Sequence, residues 1–306
     1  MNPPASLHPV LLAAASAVAS SIGRRAPVEY DHSETGSGEA VVITVAAARS
    51  DNGIGRRLAE MGFAQVGGMP QVRRYVGYDP ATDRWLTLEL RPQPTMHASR
   101  PSRARRRIGS VVDWILARRP GITVAVVGPD GAGKSTLISG LARSFALPVR
   151  TFYAGLYPQG ETRRNALVGL GTLQQLVRLW RIRALASYHR RRGRLVIFDR
   201  YPYDALLPLP PRARRRSSWR RALLARACAA PDLLIALDAP SEVLRQRRDE
   251  HPVERIEAHR LHYAELARTL PNGELVDASQ GIEAVRRRAT DLVWRRYASS
   301  LRGAGR

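Results

Sequence analysis

The sequence predicts an α/β protein in which a parallel sheet is flanked by helices, with a smaller N-terminal α/β domain. Three observations lead to this prediction. From residue 121 onward, short apolar segments alternate with longer helical segments, as in parallel sheets with helical crossovers. The chain has 306 residues, more than one typical domain, and 44% of them are hydrophobic, which is enough for real cores. Prolines and arginines concentrate at 91–107, which predicts an exposed linker.

The predicted domains are therefore a small α/β domain at 1–90, the basic linker at 91–107 and a larger domain at 108–306. In the first, residues 10–22 are small and apolar, and no Lys or Arg precedes them. A secretory leader would begin with positive charge, so a packed helix or a frayed terminus is expected here. The other expected elements are a strand at 40–45, a helix at 55–61 and two alternating strands at 71–78 and 85–90.

The larger domain begins with an expected helix at 108–119, which ends before Pro120. Nearly continuous apolar runs predict buried parallel strands. These strands are expected at 121–127, 149–153, 195–198, 233–237 and 274–276. The helices between and after them are expected at 135–145, 163–191, 217–229, 241–249, 254–269 and 282–301.

Charge and cysteine content narrow the class of protein. The formal net charge is +23, which favours anionic partners such as nucleotides, nucleic acid or acidic membrane. The single cysteine, Cys228, excludes a disulfide framework and any multi-cysteine zinc site. No stretch approaches the roughly 20 apolar residues that a membrane span requires. We expect a cytoplasmic protein without a membrane span.

The strongest motif runs from Gly128 to Ser135, with the sequence GPDGAGKS. It fits the phosphate-binding loop, in which glycines let backbone N–H groups surround phosphates at the start of a helix. Lys134 is the only lysine in a chain with 49 Lys and Arg residues, and it falls where this motif demands lysine. The motif predicts ATP binding, with Ser135 as a ligand of Mg²⁺.

A second motif follows the apolar run at 195–198, where Asp199 and Arg200 come directly after a predicted strand. An acidic residue in this place often acts near Mg²⁺, although an Asp can also simply cap a strand end. Arg200 could clamp a phosphate, because its planar fork binds phosphate oxygens in pairs.

A third cluster places Arg245 and Arg248 on one side of a proline-containing break and Arg255 on the other. Arginines in this arrangement could close over phosphates as a lid. A solvated charged face is the alternative for each of them.

Residues from about 121 to 295 resemble the thymidylate kinases and related nucleotide kinases. The resemblance rests on Asp130 inside the phosphate loop, on the Asp199-Arg200-Tyr201 turn, and on three further segments. These segments are 231–238 (PDLLIALD), 255–257 (RIE) and 275–280 (LVDASQ).

The resemblance implies a role for each matching position. Asp130 would face the acceptor sugar, Arg200 would bind the acceptor phosphate, and Asp199 would act on the metal or its water. Loop residues 129–132 contain no arginine, so the resemblance implies a catalytic arginine from the lid, namely Arg245, Arg248 or Arg255. The implied nucleotide-binding residues are Gly128, Asp130, Gly131, Gly133, Lys134, Ser135, Thr136, Ala278, Ser279 and Gln280.

The departures from the family lie on the acceptor side. The family's acceptor loop after the second strand is replaced by 152–158, and a long basic helix at about 165–191 follows it. Separately, the N-terminal part faintly resembles a nucleotidyltransferase-like domain. That fold needs paired acids on a strand, and here the two positions are Glu39 and Val41, which implies an inactive domain.

The predicted function is ATP- and Mg²⁺-dependent phosphoryl transfer to a small anionic acceptor such as a nucleoside monophosphate. One alternative is a sugar or alcohol kinase, in which Asp130 or Asp204 would serve as base. The other is a nucleic-acid-binding NTPase, supported by arginine runs at 103–107, 189–194 and 212–216 but not favoured, because they lack interleaved aromatics. A homodimer is compatible with the sequence.

Overall fold

The computed structural model divides the chain into two compact units, Met1–Arg119 with Trp294–Arg306, and Pro120–Val293. It describes residues 8–22, 28–35, 38–45, 53–66, 72–92, 120–156, 170–207, 218–247 and 252–303. The predicted linker at 91–107 lies almost wholly outside this set, as does the predicted helix at 108–119. The domain boundaries 1–90, 91–107 and 108–306 therefore stay a prediction.

The first unit contains a mixed five-stranded sheet in the order β1-β2-β5-β4-β3. β2 runs parallel to β5, and the other neighbouring pairs are antiparallel. Its elements are α1 (Pro9–Ile22), β1 (Val28–Thr35), β2 (Gly38–Val45), α2 (Ile54–Glu60), β3 (Ala64–Gln65), β4 (Arg73–Asp79) and β5 (Arg84–Pro92).

Helix α1 packs into the core of this unit, which confirms a packed helix in place of a frayed terminus. Its buried residues Leu11, Ala14, Ala15 and Val18 recur at helical spacing. They join Leu58 of α2 and strand residues such as Tyr75 and Leu88 in one apolar cluster.

The end of the chain also belongs to the first unit. Trp294 donates its indole N–H to the carbonyl oxygen of Gly62 at 3.1 Å. Its ring meets that of Trp85 edge-on at 5.1 Å, and it lies 5.5 Å from the ring of Tyr297. Both Trp294 and Tyr297 are buried, so the final helix carries part of this unit's core.

The second unit holds a five-stranded parallel sheet in the order β10-β9-β6-β8-β7. Its strands are β6 (Thr123–Val127), β7 (Val149–Tyr153), β8 (Leu195–Asp199), β9 (Leu233–Asp238) and β10 (Gly273–Asp277). Its helices are α3 (Lys134–Ser144), α4 (Leu170–Arg191), a 3₁₀ helix (Pro202–Leu206), α5 (Ser218–Ala225), α6 (Ser241–Arg247), α7 (Val253–Thr269) and α8 (Ile282–Gly303), which continues into the first unit.

The parallel strands are apolar because helices cover the sheet. Almost every residue of β6, β8 and β9 is buried. Gly121 leads into β6 where the backbone passes close to residue 194. A Cβ added there would lie 1.9 Å from the Arg194 carbonyl oxygen, so only glycine fits.

At the amino-terminal edge of this sheet, Asp232 links three segments of the chain. The Asp232 carboxylate accepts hydrogen bonds from the backbone N–H and the hydroxyl of Thr123, at 2.8 and 2.9 Å. Its other oxygen accepts a hydrogen bond from Arg190 at 3.0 Å. These bonds join the segment before β9, the start of β6 and the end of α4.

The α/β fold class is confirmed, and the differences are local. Strands β1 and β3 and the 3₁₀ helix were not predicted, and helix α5 ends earlier than expected, at Ala225. Helix α6 is described to Arg247, and residues 248–249 of its predicted range lie outside the described set. The predicted helix at 163–191 is observed from Leu170, and residues 157–169 lie outside the described set. Within the part of the chain that the structure describes, no helix combines the length and apolarity needed to cross a membrane.

Candidate functional site

The phosphate loop leaves the central strand β6 at the carboxyl edge of the parallel sheet and ends at helix α3. Gly128, Gly131 and Gly133 all have positive φ angles, of 147°, 85° and 87°. A Cβ at Gly128 would also lie 2.7 Å from the Leu237 carbonyl oxygen of β9. The chain can therefore follow this path only with glycine at these positions.

Lys134 is the first residue of α3 and is buried against the loop. Its ammonium donates hydrogen bonds to the carbonyl oxygens of Gly128 at 2.8 Å and Pro129 at 2.6 Å. Burial, and secondly the nearby charge of Arg200, lower the pKa of Lys134 to about 8.

Arg200 meets the loop from the neighbouring strand β8. Its guanidinium donates to Asp130 at 2.5 Å, and the same carboxylate oxygen lies 3.5 Å from the Lys134 ammonium. Arg200 has φ 64°, in the left-handed region, and its backbone N–H bonds to the Val126 carbonyl oxygen at 3.1 Å. The strained turn thus holds the Arg200 side chain beside the phosphate loop.

Asp204 also contacts Arg200, and Tyr263 in turn holds Asp204. One Asp204 oxygen lies 3.7 Å from the guanidinium, and the other accepts the Tyr263 hydroxyl at 2.8 Å. Burial lowers the pKa of Arg200, but the carboxylates of Asp130 and Asp204 more than offset it, so this pKa is raised. Burial raises the pKa of Asp204, against the opposing effect of Arg200.

A cavity of about 850 Å³ opens beside this network. It brings together the predicted residues Lys134, Asp199 and Arg200 with most of the predicted nucleotide-binding set. The predicted residues that line it are Asp130, Gly131, Gly133, Lys134, Ser135, Thr136, Asp199, Arg200, Ala278 and Gln280. Gly128 lies at the start of the loop, behind this lining.

The LVDASQ segment forms a turn directly after β10. Asp277 accepts hydrogen bonds from the backbone N–H of Ser279 at 2.9 Å and from the amide of Gln280 at 3.3 Å. The backbone N–H of Ala278 bonds to the Asp238 carbonyl oxygen at 2.6 Å. Ala278 and Gln280 face the cavity, whereas Ser279 faces a smaller one of about 390 Å³.

The predicted lid arginines do not meet at the cavity in the described structure. Arg245 and Arg255 are exposed on α6 and α7 and are not among the lining residues, and Arg248 lies outside the described residues. Arg247 lines the cavity instead, and its guanidinium donates to the Ala278 carbonyl oxygen at 3.0 Å.

Sequence reasoning missed three arginines around the cavity, namely Arg143, Arg247 and Arg286. Arg286 is held by Glu283 at 2.7 Å and by the Ser144 hydroxyl at 3.3 Å. In so arginine-rich a chain the residue type carries no signal. The only clue to a role is position, since Arg143 lies in the last turn of the helix that follows the phosphate loop.

The segment after β7 approaches Arg200 on the side predicted for the acceptor. Tyr153 pairs in register with Asp199, and the backbone N–H of Ala154 bonds to the Asp199 carbonyl oxygen at 3.0 Å. Arg178 of α4 donates to the Gly155 carbonyl oxygen and lies 5.8 Å above the Tyr153 ring. A Cβ at Gly155 would lie 2.5 Å from the Tyr153 hydroxyl and 3.0 Å from a side-chain carbon of Arg200, so a larger residue there would displace these side chains.

Comparison with known proteins gives partial likenesses. No family model matches the sequence. The chain is 31% identical over 145 residues to the zinc import ATP-binding protein ZnuC of Paracoccus denitrificans, which is 45% of this chain and 52% of that protein. It therefore spans about half the length of this relative. A solved structure of thymidylate kinase from Candida albicans superposes with a TM-score of 0.46 at 16% identity, over 57% of this chain and 91% of that one.

The sheet order, the glycine loop after the central strand and the buried lysine at the start of the following helix decide the fold. The second unit has a P-loop NTPase fold. Its loop, Lys134 and the cavity beside them are the candidate nucleotide-binding site, because backbone N–H groups at a helix start favour phosphate.

Proposed function

We propose that this protein is a P-loop kinase that transfers the γ-phosphoryl group of ATP to a small anionic acceptor of the nucleoside monophosphate class. The observation that carries the proposal is that two cations line one cavity and share one carboxylate partner. Lys134 stands on the phosphate loop and Arg200 on the adjacent strand end, and both bind the same carboxylate oxygen of Asp130. Two anionic groups could replace that shared partner at neighbouring positions.

On the donor side, Lys134 would leave the loop carbonyl oxygens and bind the β- and γ-phosphates. The N–H groups of the loop and of the first turn of α3 would bind the remaining oxygens. The ATP binding named for the Paracoccus relative supports ATP as donor. Arg143, Arg247 and Arg286 would add positive charge around the rest of the nucleotide.

On the acceptor side, Arg200 would bind the incoming phosphate. Asp204 contacts the guanidinium and is itself held by Tyr263, so the guanidinium is positioned before the acceptor arrives. Catalysis of this kind rests mainly on positioning and on neutralising the charge of the transferring group. A phosphate acceptor needs no strong base.

The residues at the cavity fit a magnesium ion. The Ser135 hydroxyl and the Asp199 carboxylate both line the cavity, and Mg²⁺ prefers one or two such oxygen ligands together with substrate phosphates. Bound Mg²⁺ would neutralise phosphate charge. Ser135 and Asp199 would hold the ion between loop and strand.

A hydroxyl acceptor, as in a sugar or alcohol kinase, is the second candidate, because Asp130 lines the cavity and could act as base. Asp204 is a weaker base candidate, since it is buried, bound by Arg200 and Tyr263, and not among the described residues that line the cavity. Of the three arginine runs that favour the nucleic-acid alternative, 103–107 and 212–216 lie outside the described residues.

The test is an acceptor screen with the full-length protein, ATP and Mg²⁺. ADP and the phosphorylated product are followed over nucleoside monophosphates, including thymidylate, and over sugars. We expect ADP formation that depends on a nucleoside monophosphate and is lost in Lys134→Ala. ATP binding without acceptor-dependent ADP formation would contradict a kinase, and a product from sugars alone would favour the hydroxyl acceptor.

A further inference from the structure

Helix α4 is apolar on two opposite faces, and only one of them is buried. Leu179 and Ala186 lie in the core of the second unit, with Leu176 and Ile182 packed against that core. On the opposite side, Leu173, Val177, Trp180, Ala184 and Tyr188 are exposed. Their spacing of four, three, four and four residues makes one stripe, which we call the α4 stripe.

The exposure of the α4 stripe is large for apolar side chains. Leu173 is 57% exposed, Trp180 55% and Tyr188 49%. At 1.5 Å per residue, the stripe runs for about 22 Å along the helix. Exposed apolar side chains that form one continuous patch mark a site of interaction with a partner or a membrane.

The charges on α4 indicate that a partner for this face would be anionic. The helix contains no Asp or Glu, and its arginines are Arg178, Arg181, Arg183, Arg190 and Arg191. Arg181, Arg183 and Arg191 are exposed, and Arg192, just after the helix, lies 4.8 Å above the Tyr188 ring. The stripe is thus bordered by positive charge with no acidic side chain on the helix.

The neighbouring helix α5 repeats the pattern. Trp219 is 63% exposed and Leu223 43%, one helical turn apart. Arg220 lies 5.3 Å above the Trp219 ring. Helix α5 packs against α4, so two adjacent helices both expose tryptophan and leucine, with arginine beside them.

We propose that the α4 stripe docks on the surface of an anionic lipid bilayer, with α4 lying in the plane of the interface. Helices that do so combine Trp and Leu on one face with Lys or Arg alongside. The aliphatic Leu173, Val177 and Leu223 would enter the acyl boundary, whereas a nucleic acid backbone would offer them nothing. A second copy of the chain would bring two arginine-bordered stripes together with no acidic residue on α4 to pair them.

The first test uses the full-length protein and lipid vesicles. We expect co-sedimentation with vesicles of phosphatidylcholine containing about one-third phosphatidylglycerol, and little with phosphatidylcholine alone. The variant carrying Val177→Ser and Trp180→Ser should bind about tenfold or more weakly, because it removes the apolar contact. Leu261→Ser, at another exposed leucine on α7, is the matched control and should bind normally.

The second test concerns charge. Arg181→Glu and Arg183→Glu should each weaken vesicle binding about fivefold or more, while Arg268→Glu on α7 should not. ATP binding should be unchanged in every variant, which shows that the fold is intact.

Three results would overturn the proposal. The first is no binding to the anionic vesicles, and the second is equal binding by the Val177→Ser, Trp180→Ser variant. The third is a dimer in sedimentation velocity that this variant abolishes, which would assign the stripe to a second copy. Binding to a DNA oligonucleotide that the arginine variants lose and the serine variant keeps, without vesicle binding, would assign the surface to nucleic acid.

Discussion

The two edges of the parallel sheet both carry an aspartate paired with an arginine, and the two pairs have different roles. At the amino-terminal edge, Asp232 binds Thr123 and Arg190, and its oxygens are taken by groups that hold the chain together. At the carboxyl edge, Asp130 binds Arg200 and Lys134 beside a cavity of about 850 Å³. The second pair has room for a ligand that replaces the carboxylate.

The difference lies in the surroundings of each pair and not in its chemistry. Backbone and hydroxyl donors surround Asp232, so breaking the pair should cost stability. Cations that can exchange partners surround Asp130, so breaking the pair should cost binding or turnover. Each of the following predictions tests one side of this contrast.

The largest effect is expected for Lys134→Ala. Loss of the cation that stabilises the transferring phosphate should lower turnover by at least about 10²-fold. Because the Lys134 side chain bonds to the loop and not to a core residue, thermal unfolding should change little. Steady-state ADP formation and calorimetric unfolding measure the two quantities, and unchanged turnover would contradict the phosphate-loop assignment.

The opposite pattern is expected for Asp232→Ala. Thr123 and Arg190 would lose their shared acceptor, which should lower the free energy of unfolding by about 2 kcal/mol. Turnover per folded molecule should stay normal, because Asp232 is at the other edge of the sheet. Urea unfolding and the same ADP assay measure these two quantities. If turnover falls strongly while the protein is fully folded, Asp232 does not have a purely structural role.

Arg200→Ala should lower kcat/KM for the acceptor by about tenfold to hundredfold, since a hydrogen bond to a charged group contributes about 1.5–3 kcal/mol. The Kd for ATP should change little. Arg200→Lys keeps the charge partner of the buried Asp204 and separates a folding defect from a binding defect. If ATP and acceptor binding fall equally in titration calorimetry, Arg200 has no specific acceptor role.

The smallest effect is the pH dependence of ATP binding. The ligand-free protein holds the pKa of Lys134 at about 8, below its ordinary value of 10.5. Bound phosphates favour the ammonium form, so ATP binding takes up a proton and its affinity falls as pH rises through about 8, by at most about tenfold per pH unit. Calorimetry in buffers of different ionisation enthalpy measures that proton, and Asp232→Ala should show the same dependence.

The same pKa has a consequence for stability, with the opposite sign. Between about 8 and 10.5 the unfolded chain keeps the Lys134 proton and the folded chain does not. This group's contribution to the stability of the ligand-free protein therefore rises with pH across that window. The two trends together distinguish a buried lysine from an exposed one. With an exposed lysine, the protein's affinity for ATP would stay constant to a higher pH.

The local features of the site could be predicted from the amino-acid sequence. The phosphate loop follows from eight consecutive residues, because glycines, lysine and serine at fixed spacing act through the backbone of one turn. The parallel sheet follows from apolar runs of strand length separated by helical segments. Asp199 and Arg200 were found because they directly follow such a run.

Which of the many charged residues meet depends on the folded chain. Arg200 and Asp130 are 70 positions apart, and Thr123 and Asp232 are 109 apart. No pattern in a chain this rich in arginine selects Arg247 over Arg245 at the cavity. Likewise, both faces of α4 are apolar, so periodicity could not tell which would be buried. Partners are set by where the sheet brings distant strand ends together, and that information is not local to any segment.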